Sequence, residues 1–346
     1  MTLLVPRVGL HGFFREADQH LEAHGDEYDA VVESVSTRPF MAHRYVGRRA
    51  VALYHQVADE VWEQEFPFPV GVIGRRVLEP RWIAAMAGST IVAVSRSTAE
   101  ALEARGLEVT AVVPPGCDPA GIRRDAPSAA PRLLFIGRMV RTKRPLDAIS
   151  AYQHVRASLP ESTLDVAGEG YLLGTVRRHA TPGVTVHGWV DAGRKRRLLA
   201  AADVLLAPGT REGWGIVVLE AAAHGVPAVA YDIPGLRDSV LQAQTGYLVP
   251  AYPGAMAAGV TALLREPGRW GAFSAAAWAR AREHTWERSA ASLLSVVEDA
   301  AKHGRPARPG LRGPVVSGDP APPVRLQGGV EEPGRAGAQS AEERAG

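Results

Sequence analysis

Hydrophobic and polar positions alternate most regularly in the second half of the chain. Between residues 132 and 250, short apolar runs typical of buried strands alternate with segments in which apolar residues recur at helical spacing. The predicted strands are 132–136, 164–167, 184–187, 204–207, 228–231 and 246–250. The predicted helices are 145–158, 171–179, 192–201, 216–224, 255–264, 270–284 and 287–303. This alternation predicts βαβ units and a parallel sheet.

The first half follows the same scheme with weaker patterns. Residues 1–28 are mixed and show little periodicity, and the predicted strands are 29–34, 51–56, 90–95 and 109–113. A helical segment is predicted over 69–86, with a break at Pro80 because proline removes a backbone hydrogen-bond donor. Ser97 and Glu100 have the spacing of a capping box for a helix that runs to Ala104.

The length and the local composition predict two domains and a tail. A chain of 346 residues is long enough for two domains of ordinary size. The turn at 114–116 ends the last predicted strand of the first half, so we expect one domain over 1–117 and a second over 118–303. From 304 to 346, Pro, Gly and Arg dominate and aromatic residues are absent, which predicts a disordered tail.

The overall charge and the single cysteine indicate which partners and which cellular compartment to expect. A net charge of +2 and a pI of 8.8 do not indicate a nucleic-acid partner. Cys117 is the one cysteine, which excludes an internal disulfide and fits a reducing compartment. No apolar run is long enough to span a bilayer, and the opening residues have too short an apolar run and no cleavage-site pattern, so no signal peptide is expected there. We expect a cytoplasmic location, with peripheral contact at the inner membrane face left open.

The stretch 211–221 has the features of a nucleotide-sugar site. Gly213 and Gly215 stand in a predicted turn from strand to helix, and glycine lets the backbone approach a ligand closely. The start of the following helix offers free N–H groups that suit a phosphate. Glu212 before the turn and Glu220 within the helix can accept hydrogen bonds from sugar hydroxyls. A solvated loop glutamate followed by a surface-helix glutamate is the alternative interpretation.

This stretch resembles the signature of family 4 retaining glycosyltransferases of the GT-B fold. The resemblance is carried by Glu212, by Glu220 eight positions later, and by the Gly213-Trp214-Gly215 run between them. It implies an α/β fold in which two Rossmann-like domains face each other across a cleft. It also implies that Glu212, with the N–H groups from Trp214 to Ile216, holds the transferred sugar, and that Glu220 binds the ribose.

A second stretch supports the same resemblance. The predicted strand 132–136 ends in Gly137, followed by Arg138 and, five positions later, Lys143. Arginine provides a fork of donors and lysine a point charge, a common pair for a diphosphate. In the resembling family an Arg and a Lys at this spacing bind the donor diphosphate, and we assign that role to Arg138 and Lys143. Surface cations that cap a turn are the alternative.

Three further positions match the family less specifically. The loop that contains His187 and Trp189 borders the nucleotide base in the family, although His187 can equally be a core histidine at a strand end. Gly168-Glu169-Gly170 resembles the family's Gly-acid-Gly turn, which can also be a turn without a ligand. His55 stands at a strand end where the family often has a histidine facing the donor sugar, and a structural role is the alternative.

The sequence contains no motif that calls for a metal or another cofactor. No Asp-x-Asp pair, zinc-type Cys/His cluster or Gly-x-Ser-x-Gly elbow occurs. We therefore expect Arg138, Lys143 and the helix start to take the place of a metal, with the nucleotide sugar as co-substrate and no cofactor.

The resemblance implies transfer of a hexose to an acceptor hydroxyl with retention of configuration. The acceptor, whether a glycan, a lipid-linked sugar or a small molecule, is open. Two alternatives are a sugar-nucleotide epimerase or phosphorylase on the same fold, and a non-catalytic nucleotide-sugar-binding protein or fragment. Family members also begin with a strand, a glycine-rich turn and further βα units, which are not recognisable before residue 29. The first domain is therefore expected to be incomplete, with an exposed sheet edge.

Overall fold

The computed structural model describes residues 9–118 and 123–304, which form two parallel sheets. The first sheet consists of β1 (Val31–Val35), β2 (Ala50–Tyr54), β3 (Thr90–Ala93) and β4 (Ala111–Val112), in that order. The second contains β5 (Arg132–Ile136), β6 (Thr163–Ala167), β7 (Val184–Gly188), β8 (Val204–Ala207), β9 (Ala228–Tyr231) and β10 (Gly246–Val249). Its strand order is β10-β9-β8-β5-β6-β7.

Helices connect and flank these strands. In the first half they are α1 (Gly9–His24), α2 (His43–Val46), α3 (Val61–Glu65), α4 (Val70–Ile73), α5 (Glu79–Ala85) and α6 (Arg96–Glu103). In the second half they are α7 (Pro145–Ser158), α8 (Leu173–His179), α9 (Ala192–Ala201), α10 (Ile216–Ala223), α11 (Leu236–Ser239), α12 (Pro253–Leu264), α13 (Pro267–Glu283) and α14 (Trp286–Gly304).

The second sheet is buried on both faces. Every residue of β8 and β9 is buried, as expected of parallel strands covered by helices on both sides. The chain adds β6 and β7 on one side of β5, and then β8, β9 and β10 on the other. This reversal makes a topological switch point between β5 and β8, the place where open α/β sheets bind ligands.

The first sheet is smaller and depends on a helix from the other end of the chain. One face packs on residues such as Ile83, Met86 and Leu102 of α5, α6 and the connections beside them. On the opposite face, Val51 and Val92 pack with Ala300 of α14. The helix α14, from the other end of the chain, therefore completes the core of the first sheet.

Most predicted elements agree with the structure, and β5, β8, β9, α7 and α9 begin and end as predicted. Residues 1–28 were expected to show little pattern, but α1 forms there. Phe13 and Phe14 of α1 stack against Phe40, with ring centroids 5.3 Å and 4.7 Å apart. Leu10, Phe13, Phe14, Ala17 and Leu21 recur at helical spacing, so the signal for this helix is local and the prediction of little pattern in 1–28 was wrong.

Two local predictions in the first half are corrected. The cap of α6 is Ser95, whose Oγ accepts the backbone N–H of Thr98 at 3.0 Å, so the predicted capping box at Ser97 is two residues too late. The predicted helix 69–86 consists of α4, a π-helical turn over Gly74–Leu78, and α5, with Pro80 in the first turn of α5.

The ends of the predicted domains are only partly described. The predicted tail 304–346 lies outside the described residues except for Gly304, where α14 ends. Within the described part, β1 pairs with β2 alone and forms an edge of the first sheet, with Val32 46% exposed.

Candidate functional site

The two motifs predicted to form the site meet at the switch point. Residues 137–144 follow β5, and residues 208–215 follow its neighbour β8. Lys143 Nζ donates a hydrogen bond to Glu212 Oε1, and both side chains are largely buried. The two motifs are thus neighbours in space although 69 residues separate them along the chain.

A cavity of about 260 Å³ lies between these loops and the start of α10. It is lined by seven of the predicted site residues, Gly137, Arg138, Lys143, Glu212, Gly215, Ile216 and Glu220. The guanidinium of Arg138 makes no ion pair within the described part of the chain, and the side chain is exposed. The cavity therefore contains Arg138 outside any of these ion pairs, Lys143 paired with Glu212, and a second lysine and carboxylate, Lys195 and Glu220.

The start of α10 opens into this cavity. Gly215 precedes the helix with φ +83°, a left-handed conformation that favours glycine, and a side chain there would come within 2.7 Å of Leu236. No side chain caps the helix start. The first N–H groups of α10 are therefore available to an anion, and the positive end of the helix dipole favours one.

Glu220 has a partner that the sequence analysis did not identify. Lys195 of α9 lines the same cavity, and its Nζ lies 2.6 Å from Glu220 Oε1. The other carboxylate oxygen, Oε2, is buried without a hydrogen bond. Lys195 stands in the basic run 194–197, which from sequence resembles a solvated helix face, so only the packing of α9 beside α10 shows that it faces inward.

The Gly168-Glu169-Gly170 turn supports the loop after β5. A Cβ on Gly168 would lie 1.9 Å from the carbonyl oxygen of Gly137, and one on Gly170 would lie 2.4 Å from that of Met139. The N–H of Met139 donates to the carbonyl of Glu169 at 2.6 Å. Both glycines are therefore needed for backbone packing against the loop that contains Arg138, and the turn does not line the cavity.

A larger cavity, of about 570 Å³, lies between the carboxyl ends of the two sheets. From the second half, Glu212, Gly213, Trp214 and Ile216 line it, and from the first half His55 does. The sequence prediction that His55 lies across the cleft from the glutamate motif is thus consistent with the geometry.

The backbone of the glutamate motif touches the strand end that carries His55. A Cβ on Gly213 would lie 1.9 Å from the carbonyl oxygen of His55, so only glycine allows this approach. His55 Nε2 is 2.7 Å from Ser34 Oγ. Burial lowers the pKa of His55 from its usual 6.5, so its imidazole is neutral at pH 7 and can exchange hydrogen bonds.

His187 and Trp189 lie outside both cavities. His187 Nε2 is 2.6 Å from Asp165 Oδ1, and only 12% of its side chain is exposed. Trp189 is 68% exposed. His187 thus has a structural partner on β6, and a role of either residue in donor binding stays a prediction.

Hydrogen bonds and ion pairs of charged side chains connect the two halves beside the cleft. Glu65 of α3 accepts the backbone N–H of Thr142 at 2.9 Å and the hydroxyl of Tyr171 at 2.6 Å. Arg211 donates to the carbonyl of Val57 at 2.6 Å and pairs with Glu60 at 3.1 Å. The loops of the second sheet are thus held against α3 and the loop before it.

In a further contact, an acceptor on the second half binds donors on the first. Asp238 of α11 accepts the backbone N–H groups of Arg96 and Ser97, at 2.9 Å and 3.2 Å, at the start of α6. A carboxylate beside a helix start is stabilised by the dipole. None of these partners is close in sequence, so their pairing could not be read from a motif.

Several other features of the described residues bear on function. No cluster of three or more His, Cys, Asp or Glu there could hold a metal ion. Within the same ranges, no helix has both the length and the apolar character needed to cross a membrane. Burial raises the pKa of the Cys117 thiol to about 11, and its Sγ faces backbone carbonyls, so it is not a nucleophile at neutral pH.

Residues 130–266 match the family model described as Glycosyl transferases group 1. This range contains the switch-point cavity and both of its motifs. The chain has the GT-B fold, and this region of it is similar to the glycosyl transferases of group 1. The resemblance stated from the sequence is therefore confirmed, as is the α/β class with two facing Rossmann-like sheets.

The curated proteins similar to this chain include a glycogen synthase and a glycosyltransferase. The chain is 34% identical over 229 residues to glycogen synthase of Mycobacterium tuberculosis, which covers 61% of this chain and 53% of the relative. It is 32% identical over 266 residues to D-inositol 3-phosphate glycosyltransferase of Xylanimonas cellulosilytica, which covers 68% of this chain and 62% of the relative. The matched part thus spans less than two thirds of these proteins.

Solved structures show the same fold at low identity. Sucrose-phosphate synthase from Thermosynechococcus elongatus superimposes with a TM-score of 0.69 at 19% identity, over 87% of this chain and 81% of that chain. HepE of Anabaena, solved with UDP and glucose, gives a TM-score of 0.67 at 15% identity, over 85% of this chain and 84% of that chain.

Proposed function

We propose that this protein transfers a hexose from a nucleotide sugar to an acceptor hydroxyl with retention of configuration. One observation carries the proposal. Arg138, Lys143, Glu212 and Glu220 line one cavity at the switch point, together with the uncapped start of α10. Cations, helix N–H groups and carboxylates are the groups that a sugar joined to a nucleoside diphosphate requires.

The cations would act on the leaving group. Breaking the bond between sugar and phosphate leaves negative charge on the diphosphate, and a preorganised donor at such a position contributes ~3–4 kcal/mol to lowering the barrier. Arg138 is unpaired, whereas Lys143 must exchange Glu212 for the diphosphate. That exchange frees Glu212 to accept hydrogen bonds from hydroxyls of the sugar. Binding of the donor would therefore bring both residues into contact with it. This arrangement provides the neutralising charge without a metal or another cofactor.

Retention follows from a displacement on one face of the sugar. The bond between the anomeric carbon and the phosphate oxygen breaks as the bond to the acceptor oxygen forms on the same face. The acceptor proton passes to the departing phosphate oxygen, so no enzyme carboxylate needs to become a nucleophile. Neutral His55 would hold a hydroxyl of the sugar from the first half. Glu220 would bind the ribose after Lys195 yields to it.

The decisive experiment measures donor binding and transfer separately. Calorimetry with UDP, GDP and ADP identifies the nucleotide, and NMR of the product formed from the matching hexose donor reports the anomeric configuration. Arg138→Ala is expected to reduce turnover by roughly a hundredfold or more, because the leaving charge goes unopposed. Arg178→Ala, which removes an exposed cation on α8 outside the cavity, is the matched control.

Several results would contradict the proposal. Inverted product or a normal rate in Arg138→Ala would refute the mechanism. Tight nucleotide binding without transfer would support a binding protein, and conversion of the donor without an acceptor would support an epimerase or phosphorylase. A chelator is expected to leave the rate unchanged, and a rate that collapses with EDTA and returns with Mn²⁺ would show that a metal holds the diphosphate.

A further inference from the structure

The larger cavity is polar at one end and apolar over the rest of its wall. The polar end is formed by His55, Gln56 and Glu212. The remainder of the wall is mainly hydrophobic and includes Leu53, Val94, Val113, Ile216, Trp286 and Leu293. The apolar wall is built from the ends of β2, β3 and β4 on one side and from α14 on another.

The apolar part offers few side-chain hydrogen bonds to a ligand. The hydroxyl of Ser289, which lines it, donates to the carbonyl of Pro114 at 2.6 Å and is already satisfied. Trp214 is 7% exposed, and its indole N–H has no hydrogen-bond partner but is buried, so it is not accessible to a ligand. A polyhydroxylated ligand would therefore lose its hydrogen bonds to water on binding and find few partners to replace them. This costs ~1–3 kcal/mol for each hydroxyl left unsatisfied.

The volume and chemistry of the wall suit a different ligand. About 570 Å³ is within the range of cavities that take a drug-sized molecule. No Lys, Arg, Asp or Glu lines this cavity apart from Glu212 at its polar end. Trp286 is 47% exposed and presents an indole to the cavity from the first turn of α14. An uncharged molecule with a ring system would gain from burial there.

We propose that the acceptor is a neutral, largely apolar alcohol or phenol bound in this cavity. Its ring system lies against α14 and the ends of the first sheet, and its hydroxyl is at the end lined by His55 and Glu212. This inference rests on the proposed function, because it names the acceptor of the same site. It concerns the apolar wall, so it can be tested apart from nucleotide binding.

The test uses a naphthol as a neutral, apolar, hydroxyl-bearing probe and methyl glucoside as a polar neutral one. Tryptophan fluorescence reports their binding, because Trp286 lines the cavity, with and without the nucleotide found by calorimetry. The naphthol is expected to bind roughly tenfold or more tightly than the glucoside, as apolar burial implies. In the transfer assay the same order is expected in acceptor KM.

Variants of α14 provide matched controls. Leu293→Asp puts a charge into the apolar wall and should weaken naphthol binding and raise its KM by roughly tenfold or more, with nucleotide affinity unchanged. Leu294→Asp, at a neighbouring position that is 55% exposed and outside the cavity, should change neither. Ala290→Trp, which narrows the cavity without adding charge, should act like Leu293→Asp and keeps the test valid if the charged variant misfolds.

The outcomes separate this inference from the proposed function. Equal binding of glucoside and naphthol, or equal behaviour of the Leu293→Asp and Leu294→Asp variants, would overturn it even if transfer occurs. Naphthol binding that is lost in Leu293→Asp without any transfer would support an apolar ligand in this cavity but would overturn its role as acceptor together with the proposed function.

Discussion

The two sheets differ in how their strands are ordered, and this difference decides where a ligand can bind. In the second sheet β5 has neighbours added on both sides, so the loops after β5 and β8 diverge and leave a crevice. In the first sheet the order follows the chain, and no switch point exists among its described strands. The second half therefore builds the charged site, whereas the first provides one wall of a cleft.

The second sheet also has the larger and more continuous hydrophobic core. One continuous cluster of buried residues surrounds the second sheet. The described part of the first sheet divides its buried residues among three smaller clusters, one of which needs Ala300 of α14. A site that holds charge in place thus lies on the better packed half, and the less packed half depends on it for part of its core.

The largest expected effect comes from removing a cation of the second half, and it is compared with the removal of a histidine of the first half. Lys143→Ala should lower turnover by roughly a hundredfold or more and weaken nucleoside diphosphate binding, because its charge opposes the diphosphate. His55→Ala should lower turnover less and leave nucleotide affinity unchanged, since it lines only the larger cavity. Steady-state kinetics with calorimetry measures both. Equal losses of nucleotide affinity would mean that the first half also binds the nucleotide.

The contact between the halves gives the next effect. Gly213→Ala would bring a Cβ to 1.9 Å from the carbonyl oxygen of His55, so the loop must move and turnover should fall about tenfold, as small misplacements at a reacting centre do. Gly268→Ala is the control, because a Cβ there meets nothing within 4 Å. Turnover in Gly213→Ala that matches this control would show that the close approach has no functional consequence.

Uneven packing should appear in hydrogen exchange. Amide protons of β1 to β4 are expected to exchange roughly tenfold or more faster than those of β5, β8 and β9, because smaller clusters open at lower free energy. Mass spectrometry of peptides from both sheets measures this. Uniform protection would show that α14 couples the two cores into a single cooperative unit.

The smallest effect concerns pH, because histidines whose pKa burial lowers occur in both halves, at His43 and His55 in the first and at His224 and His284 in the second. Burial lowers the pKa of His224 and His284 from 6.5, so the unfolded state binds these protons first and stability falls as pH drops below that value. Burial raises the pKa of Glu33 and Glu79 in the first half, so acidification favours their folded forms.

We therefore expect the melting temperature to fall by a few degrees between neutral and mildly acidic pH, and His224→Gln to reduce that fall. His179→Gln, an exposed histidine on α8, is the control. A melting temperature that rises on acidification would mean that the buried carboxylates outweigh the histidines.

The amino-acid sequence alone determined the regular elements and the main site. Strands such as β5, β8 and β9 depend on apolar runs and flanking turns, which are local. Arg138, Lys143, Glu212 and Glu220 could be grouped in advance because each lies just after a strand or in the helix after it, and parallel strands share one carboxyl edge.

The tertiary structure decided which residues meet. Lys195 and Glu220, 25 positions apart, pair because α9 packs beside α10, and Glu65 reaches Tyr171 across 106 positions because the two sheets face each other. Likewise, the apolar cavity exists only where α14 returns to cover the first sheet. Turns and periodic burial depend on neighbouring residues, so they can be predicted from short stretches of the sequence. The contacts above depend on strand order and helix packing, which a short stretch of sequence does not determine.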